Sequence, residues 1–289
     1  TAMTRKVLFV IHGARSDAFN VARAAAKGLI ANNIAVACAD ADSGELEIPE
    51  VTSASDAAGC ELVVVFGGDG TILRGIEIAR DHDVPVFSVN LGHVGFLAEA
   101  EPEDIEAVIN TVVNKEWSVE ERTALAIHAT DADGRKWESW ALNEVAIEKY
   151  HREHMTKLLV SIDERPVSHW SCDGVLVATP TGSTAYAFSA GGPVVWPEVE
   201  AMLVVPISAH ALFAKPLVVS PKSVVELVVT TGPVEVSCDR RRKTELATGA
   251  TIRVVRNTQS VKLARIHLTP FTERLVAKFE LPVHGWRAQ

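Results

Sequence analysis

Val63-Val64-Val65-Phe66-Gly67-Gly68-Asp69-Gly70-Thr71 decides how the first part of this chain folds. A β-branched run, Leu62–Phe66, reads as a buried strand, and it meets a helical pattern through three glycines and one carboxylate. Glycines there let backbone N–H groups approach an anion at a helix N-terminus. The segment contains neither Gly-x-x-x-x-Gly-Lys-Ser/Thr nor Gly-x-Gly-x-x-Gly, so it is not one of the common phosphate fingerprints. A carboxylate beside phosphate-binding backbone makes sense if it holds Mg²⁺ or accepts a proton from a hydroxyl attacking phosphorus. The competing reading, that Asp69 caps the helix and shapes the turn, is equally open from this segment alone.

The same alternation extends on both sides. Lys6–Ile11 reads as a strand, Asp17 as the N-cap of a helix over 18–32, Ile34–Cys38 as a strand, Thr71–Asp81 as a helix, Val84–Val89 as a strand and Asp104–Asn114 as a helix after Pro102. Strand alternating with helix predicts parallel βαβ units with ligands at the carboxyl ends of the strands. From Val119 the pattern becomes strands joined by turns: Thr123–Thr130, Trp137–Lys149, Leu158–Ile162, Val167–Thr179, Val224–Thr230, Val234–Cys238 and Thr251–Val255. A helical patch at Ser183–Ser189 interrupts them and Phe271–Phe279 reads as a closing helix. The division expected is an α/β domain over 1–118, a β-rich domain over 119–268, and a helix and tail over 269–289 returning to the first.

Composition narrows the function classes. The 289 residues suffice for two real cores, and 47% hydrophobic against 22% charged residues is an ordinary globular balance. A formal net charge of −9 argues against a broad surface for nucleic acid while leaving room for a small anionic ligand. The apolar run ending at Ile11 is too short for a signal-peptide core or a membrane span, so the cytoplasm is the expected compartment. Cys38, Cys60, Cys172 and Cys238 form no Cys-x-x-Cys pair. His151-Arg152-Glu153-His154 is not His-Glu-x-x-His and reads as a polar loop. Cys172 has no activating histidine beside it in sequence and reads as a small strand residue.

Three further segments carry polar chemistry. Asp173-Gly174 opens a strand that breaks into Thr181-Gly182-Ser183-Thr184-Ala185-Tyr186, which offers hydroxyls and free N–H groups without the Gly-x-Ser-x-Gly of a hydrolase. Asn143-Glu144 interrupts an apolar strand pattern and suits an adenine edge or a ribose, or equally an exposed strand face. Asn90-Leu91-Gly92 with Gly95-Phe96-Leu97 supplies another glycine-loosened turn after a buried strand. In this order and spacing, the Gly-Gly-Asp-Gly loop, the Asn-Leu-Gly and Gly-Phe-Leu elements, the Asn-Glu pair and the Thr-Gly-Ser-Thr-Ala-Tyr loop resemble the NAD kinase family over nearly the whole chain, most closely its actinobacterial members. Phosphofructokinases and lipid kinases share only the Gly-Gly-Asp-Gly element.

The resemblance implies an N-terminal parallel α/β domain of the phosphofructokinase/lipid-kinase type with a C-terminal β-sandwich domain. It implies phosphoryl transfer from ATP or inorganic polyphosphate to the 2′-hydroxyl of the adenosine ribose of NAD, forming NADP, with a divalent cation, Mg²⁺ or Mn²⁺. Asp69 is then the catalytic residue, with Gly67, Gly68 and Gly70 forming the phosphate loop. The NAD set it implies joins Asp69, Gly70 and Arg74 with Asn143, Glu144 and, loosely, His154. Ser171, Asp173, Thr181, Thr184, Ala185, Tyr186, Ala187, Phe188, Ser189 and Arg241 complete it. No direct protein ligand set for the metal is implied beyond Asp69, and a homodimer or homotetramer is the family expectation. One departure stands out: where the family carries Asp-Gly, this chain has Asp239-Arg240-Arg241, and Arg240 joins Arg241, Arg242 and Lys243 in a cluster that reads either as a phosphate contact or as a solvated hairpin tip. A lipid kinase would be expected to show a membrane-facing segment, which is not found, and a mere dinucleotide sensor has no use for Asp69.

Overall fold

The computed structural model describes residues 5–91, 95–97, 104–151, 153–266 and 269–283. The chain divides into two units, one formed by residues 1–121 with 261–289 and the other by residues 122–260.

Unit 1 is an α/β layer structure. Its strands are β1 (Lys6–Ile11), β2 (Ala35–Ala39), β3 (Thr52–Ala54), β4 (Leu62–Phe66), β5 (Val86–Val89), β6 (Ser118–Arg122) and β19 (Val261–Arg265), in the spatial order β3-β2-β1-β4-β5-β19-β6. The pairs from β3 through β19 are parallel. β1 and β4 read as unbroken apolar runs because helices cover the sheet: α1 (Ser16–Ala31), α3 (Asp69–Arg80) and α4 (Ile105–Asn114), with the short α2 (Asp40–Leu46) after β2. Phe9, Phe66 and Phe87 fill the core against Ala22, Ala26 and Leu29 of α1. α6 (Phe271–Phe279) closes the unit.

Unit 2 is a sandwich of two six-stranded antiparallel sheets. One has the order β11-β10-β15-β18-β7-β8 and the other β14-β13-β12-β9-β16-β17. In the first, the strands in chain order are β7 (Leu125–Thr130), β8 (Lys136–Ala141), β10 (Thr156–Ile162), β11 (Arg165–Cys172), β15 (Val225–Thr231) and β18 (Thr251–Arg256). In the second they are β9 (Glu144–Lys149), β12 (Gly174–Ala178), β13 (Met202–Ile207), β14 (Leu217–Val219), β16 (Val234–Cys238) and β17 (Arg242–Leu246). Alternate residues of both sheets meet in one core, Ile127, Leu158, Val160 and Trp170 from the first with Val145, Ile147, Val175 and Val236 from the second. The opposite face of the second sheet is covered too: Ala146, Leu176 and Leu203 pack under Ala187 and Val195 of the segment between β12 and β13. The parallel α/β half and the antiparallel sandwich are the expected architecture.

Several local readings are corrected. α1 has Arg15 at its N-cap, and Asp17 pairs with that arginine instead of capping. α3 starts at Asp69, two residues earlier than expected. The single strands read over Trp137–Lys149 and Val167–Thr179 are each two strands, broken at Leu142-Asn143 and at Asp173.

Candidate active site

In unit 1 the buried β4 delivers the chain to the glycine loop. Gly67 N–H donates to the Val89 carbonyl at 3.1 Å, and the Gly68 carbonyl accepts from Thr71 and Ile72 at 2.9 and 3.0 Å, which starts α3. A side-chain carbon on Gly67 would meet Thr71 Oγ1 at 2.6 Å, whereas one on Gly68 or Gly70 would meet nothing. The backbone at Gly68 and Gly70 is therefore open to an approaching group. Asp69 is the first residue of α3, where the helix dipole favours a negative charge, and its Oδ1 is buried with no hydrogen-bond partner. Such an atom costs stability unless something else satisfies it.

Gly95 stands directly against that carboxylate: a Cβ there would lie 2.5 Å from Oδ1 and 3.1 Å from Cγ. Its neighbours are held from several directions. The Phe96 ring packs on Phe271 and Phe279 of α6, at centroid distances of 5.6 and 6.0 Å, and Arg274 donates to the Phe96 carbonyl at 3.3 Å. Arg265 and Ser88 donate to the Leu97 carbonyl at 3.0 and 3.2 Å, and Arg265 is itself fixed by Glu120 at 2.7 Å. Sequence reasoning missed Ser88 and Arg265, since neither lies in a motif. Asn90 and Leu91 are buried, while Gly92 lies outside the described residues.

Arg74 is committed within unit 1. Its Nη2 donates to the Ile11 carbonyl and to Asp42 Oδ2, both at 2.6 Å, and Asp42 Oδ2 also accepts the Ile11 N–H at 2.9 Å. Asp42, only 2% exposed, thus ties α3 to the end of β1.

In unit 2 the break between β8 and β9 sets Asn143 and Glu144. The Thr179 hydroxyl donates to the Leu142 carbonyl at 2.5 Å, the Thr179 N–H to the Asn143 carbonyl at 2.9 Å, and Gly182 N–H to Thr179 Oγ1 at 3.1 Å. Gly182 fits only as glycine, because any Cβ there would collide with the Asn143 carbonyl. The Thr181–Thr184 3₁₀ turn is braced by the buried Arg122, which donates to Thr181 Oγ1 at 3.1 Å, while Thr184 Oγ1 donates to the Thr181 carbonyl at 3.3 Å. Ala185 leads into the single helical turn Tyr186–Ser189 (α5), where Ala187 is buried and Phe188 and Ser189 are exposed.

Residues 144, 146 and 148 fall on one face of β9, as a strand requires. The Tyr186 hydroxyl donates to Glu148 Oε1 at 2.6 Å, and the Arg240 guanidinium lies 5.0 Å over the Tyr186 ring. Glu144 is 4% exposed and its Oε2 has no hydrogen-bond partner. Burial, and next the charge of Asp239, push the Glu144 carboxyl up to about 7; Arg240 and the Tyr186 N–H pull the other way. Burial and then Glu148 push the Tyr186 hydroxyl up to about 12.

Asn143, Glu144, Thr181 and Tyr186 are thus gathered at one end of β9 and β12. Asp173 is at the other end of β12, about 17 Å away along five residues of strand. It pairs with Lys149 at 2.7 Å, which holds its carboxyl below the usual carboxylate range. Ser171 is beside it in β11, its hydroxyl 3.7 Å from Met155 Sδ and its carbonyl accepting the His210 N–H at 2.8 Å. His154 and Arg241 are exposed, and Arg152 lies outside the described residues. Among the described residues no group of three or more His, Cys, Asp or Glu side chains is disposed to hold a metal ion.

Comparison with known proteins accounts for both units. Residues 7–117 match the model of the ATP-NAD kinase N-terminal domain and residues 142–266 that of the ATP-NAD kinase C-terminal domain. NAD kinase 2 of Streptomyces coelicolor is 50% identical over 291 residues, covering 98% of this chain and 97% of the relative. The NAD kinase of Mycobacterium tuberculosis is 47% identical over 303 residues, covering 99% of both chains. Among solved structures, yeast NADH kinase complexed with NADH superposes with a TM-score of 0.89 at 23% identity, over 100% of this chain and 91% of that one. An NAD kinase from Archaeoglobus fulgidus in complex with ATP gives 0.71 at 26% identity, over 96% and 98%. With both family domains matched in order and full-length relatives at about half identity, the chain belongs to the NAD kinase family.

Proposed function

We propose that Asp69 orients the 2′-hydroxyl of the adenosine ribose of NAD and takes its proton as that oxygen attacks the terminal phosphorus of ATP or polyphosphate. Phosphorylation of NAD to NADP is the reaction of this family and of this chain; the proposal concerns how its residues divide the work. The observation that carries it is the unpartnered, buried Oδ1 of Asp69 at the first residue of α3, beside the open backbone of Gly68 and Gly70. An alcohol is a far weaker acid than a carboxylic acid, so the proton leaves late, after most of the bond change at phosphorus. The oxygen–phosphorus bond to ribose forms as that to the leaving phosphate breaks, and the proton ends on Asp69. The larger gain comes from alignment and from N–H groups of the glycine loop facing phosphate oxygens.

A divalent cation fits here as one carried by the donor phosphates, since the orphan Asp69 oxygen is given to the hydroxyl and no group of three or more His, Cys, Asp or Glu side chains among the described residues is disposed to hold an ion. Mg²⁺ or Mn²⁺ held that way would neutralise phosphate charge. Asn143 and Glu144 hold the adenosine, Glu144 accepting from a ribose hydroxyl, and the Thr181–Ser189 segment lines the dinucleotide site; Ser171, Asp173, His154, Arg74 and Arg241 are assigned to NAD by family pattern alone. A cytoplasmic homodimer or homotetramer belongs to the same reading. No helix among the described residues is long and apolar enough to cross a membrane. Incubating the protein with NAD, Mg²⁺ and either ATP or polyphosphate, and assaying NADP, tests the activity and identifies the donor. Asp69→Asn with near-normal turnover would remove Asp69 from the mechanism.

A further inference from the structure

Asp239, in the turn between β16 and β17, is 5% exposed, yet neither oxygen is idle. Oδ1 accepts the Asn143 N–H at 2.8 Å and the Glu144 N–H at 3.3 Å, and Oδ2 accepts the Leu142 N–H at 2.8 Å and Arg242 Nη2 at 3.0 Å. The Asp239 N–H in turn donates to the Glu144 carbonyl at 3.0 Å. Arg242 completes the grip: its guanidinium stacks 4.2 Å over the Trp140 ring and donates to the Trp140 carbonyl at 2.9 Å. One ion pair, its carboxylate buried, therefore holds four residues, Trp140, Leu142, Asn143 and Glu144, from about a hundred positions away. A buried ion pair adds little net stability, but it can specify one conformation. Here the conformation specified is that of the break in the strand carrying Asn143 and Glu144.

We propose that Asp239 is a positioning residue for the nucleotide substrate, fixing the backbone so that the Asn143 and Glu144 side chains meet the adenosine of NAD. This rests on the reading of Asn143 and Glu144 given above. Two buried carboxylates this close do not both ionise freely. Burial raises the Asp239 carboxyl above its ordinary value while three N–H donors and Arg242 pull it back, whereas Glu144 has an idle Oε2, and burial with the Asp239 charge pushes it up to about 7. The other groups facing Glu144 are Arg240 in the same turn, Cys238 at the end of β16, Tyr186 in α5 and Glu148 on its own strand. Arg240 opposes the proton, Glu148 favours it, and Cys238 and Tyr186 stay neutral below pH 9 because burial pushes both up to about 12.

Steady-state kinetics of Asp239→Asn between pH 5.5 and 9, with NAD and ATP varied separately, test the inference. In the unaltered protein kcat/KM for NAD should rise with pH as ionised Glu144 accepts a ribose hydroxyl. In Asp239→Asn, KM for NAD should rise about ten-fold or more while KM for ATP stays within about two-fold. The midpoint of the pH profile should also fall, because a negative charge beside Glu144 is gone. An unchanged KM for NAD, or a fall in kcat with the midpoint unmoved, overturns the inference. Should Asp239→Asn not fold, Arg242→Gln, which leaves the N–H bonds to Asp239, should still raise KM for NAD several-fold and spare that for ATP; equal effects on both overturn it. Glu144→Gln separates the two levels: if it keeps the normal KM and pH profile for NAD, the assignment of Glu144 fails and the inference with it. If Glu144→Gln abolishes the pH step and Asp239→Asn changes nothing, the inference alone fails.

Discussion

Replacing Glu144 by Gln should stabilise the protein, and increasingly so as pH rises from about 4.5 to about 7. The Glu144 carboxyl, 4% exposed, is moved from 4.5 to about 7 by burial first and by Asp239 second. Between these values the folded chain holds a proton that the unfolded chain has released. Stability tied to this group is therefore fully present below about pH 4.5 and is lost as pH rises through about 7. At about 1.4 kcal/mol per pH unit the displacement corresponds to about 3 kcal/mol as an upper value. Gln cannot ionise, so Glu144→Gln should match the parent near pH 4 and exceed it by up to about 3 kcal/mol at pH 8.5. Urea denaturation at the two pH values measures this through tryptophan fluorescence, since Trp137, Trp140, Trp170 and Trp196 all lie in unit 2 with Glu144. A difference between variant and parent that is the same at both pH values would refute the buried-proton account.

Asp69→Asn should keep NAD binding by calorimetry and lose about 100-fold or more in turnover, the scale of a lost general base. Gly95→Ala places a Cβ 2.5 Å from Asp69 Oδ1, so the carboxylate must move by nearly an ångström. A displacement of that size costs about 100-fold in kcat, and turnover within two-fold of normal would break the link between the two residues. Arg240→Gly acts differently. Asp239 and Arg240 have φ of 51° and 56°, so glycine relieves about 1 kcal/mol of left-handed strain but adds similar freedom to the unfolded chain. Urea midpoints should barely move, while loss of the cation over Tyr186 should alter KM for NAD or inhibition by NADP; unchanged kinetics would make the cluster a solvated tip.

The parts of the fold legible in the sequence are those whose causes are local. Leu62–Phe66 followed by Gly67-Gly68-Asp69-Gly70 announces strand, turn and helix because burial, glycine geometry and the first helical turn all act within ten residues. The strand read over Trp137–Lys149 is broken at Leu142-Asn143 for a reason nearly a hundred residues away, the Asp239 carboxylate that draws three successive N–H groups out of the ladder. Asp173 interrupts Val167–Thr179 under similar long-range ties: its N–H goes to Ile207 and its carbonyl to Lys149. Both breaks fall on residues that the proposal assigns to NAD, where local rules are expected to give way to the needs of a site. The short α2 has little local signal, because Asp40-Ala41-Asp42-Ser43-Gly44 is mostly weak helix formers. Its Asp42 gains meaning only through Ile11 and Arg74.

A chain of net charge −9 that handles polyanions works against its own overall electrostatics, and the placement of its carboxylates removes the difficulty. The glycine loop offers backbone N–H groups and one acid, so in the proposed reading phosphate would meet dipoles there instead of a lysine. The carboxylates of unit 2 stand where the ligand in this reading presents ribose hydroxyls, which donate to them. Burial first and the charge of Asp239 second leave Glu144 poised to hold or release a proton near pH 7. Net charge constrains what a whole surface attracts, whereas a nucleotide is sorted group by group, hydroxyls to acids and phosphates to backbone. The acidity of the chain is then compatible with its phosphoryl chemistry.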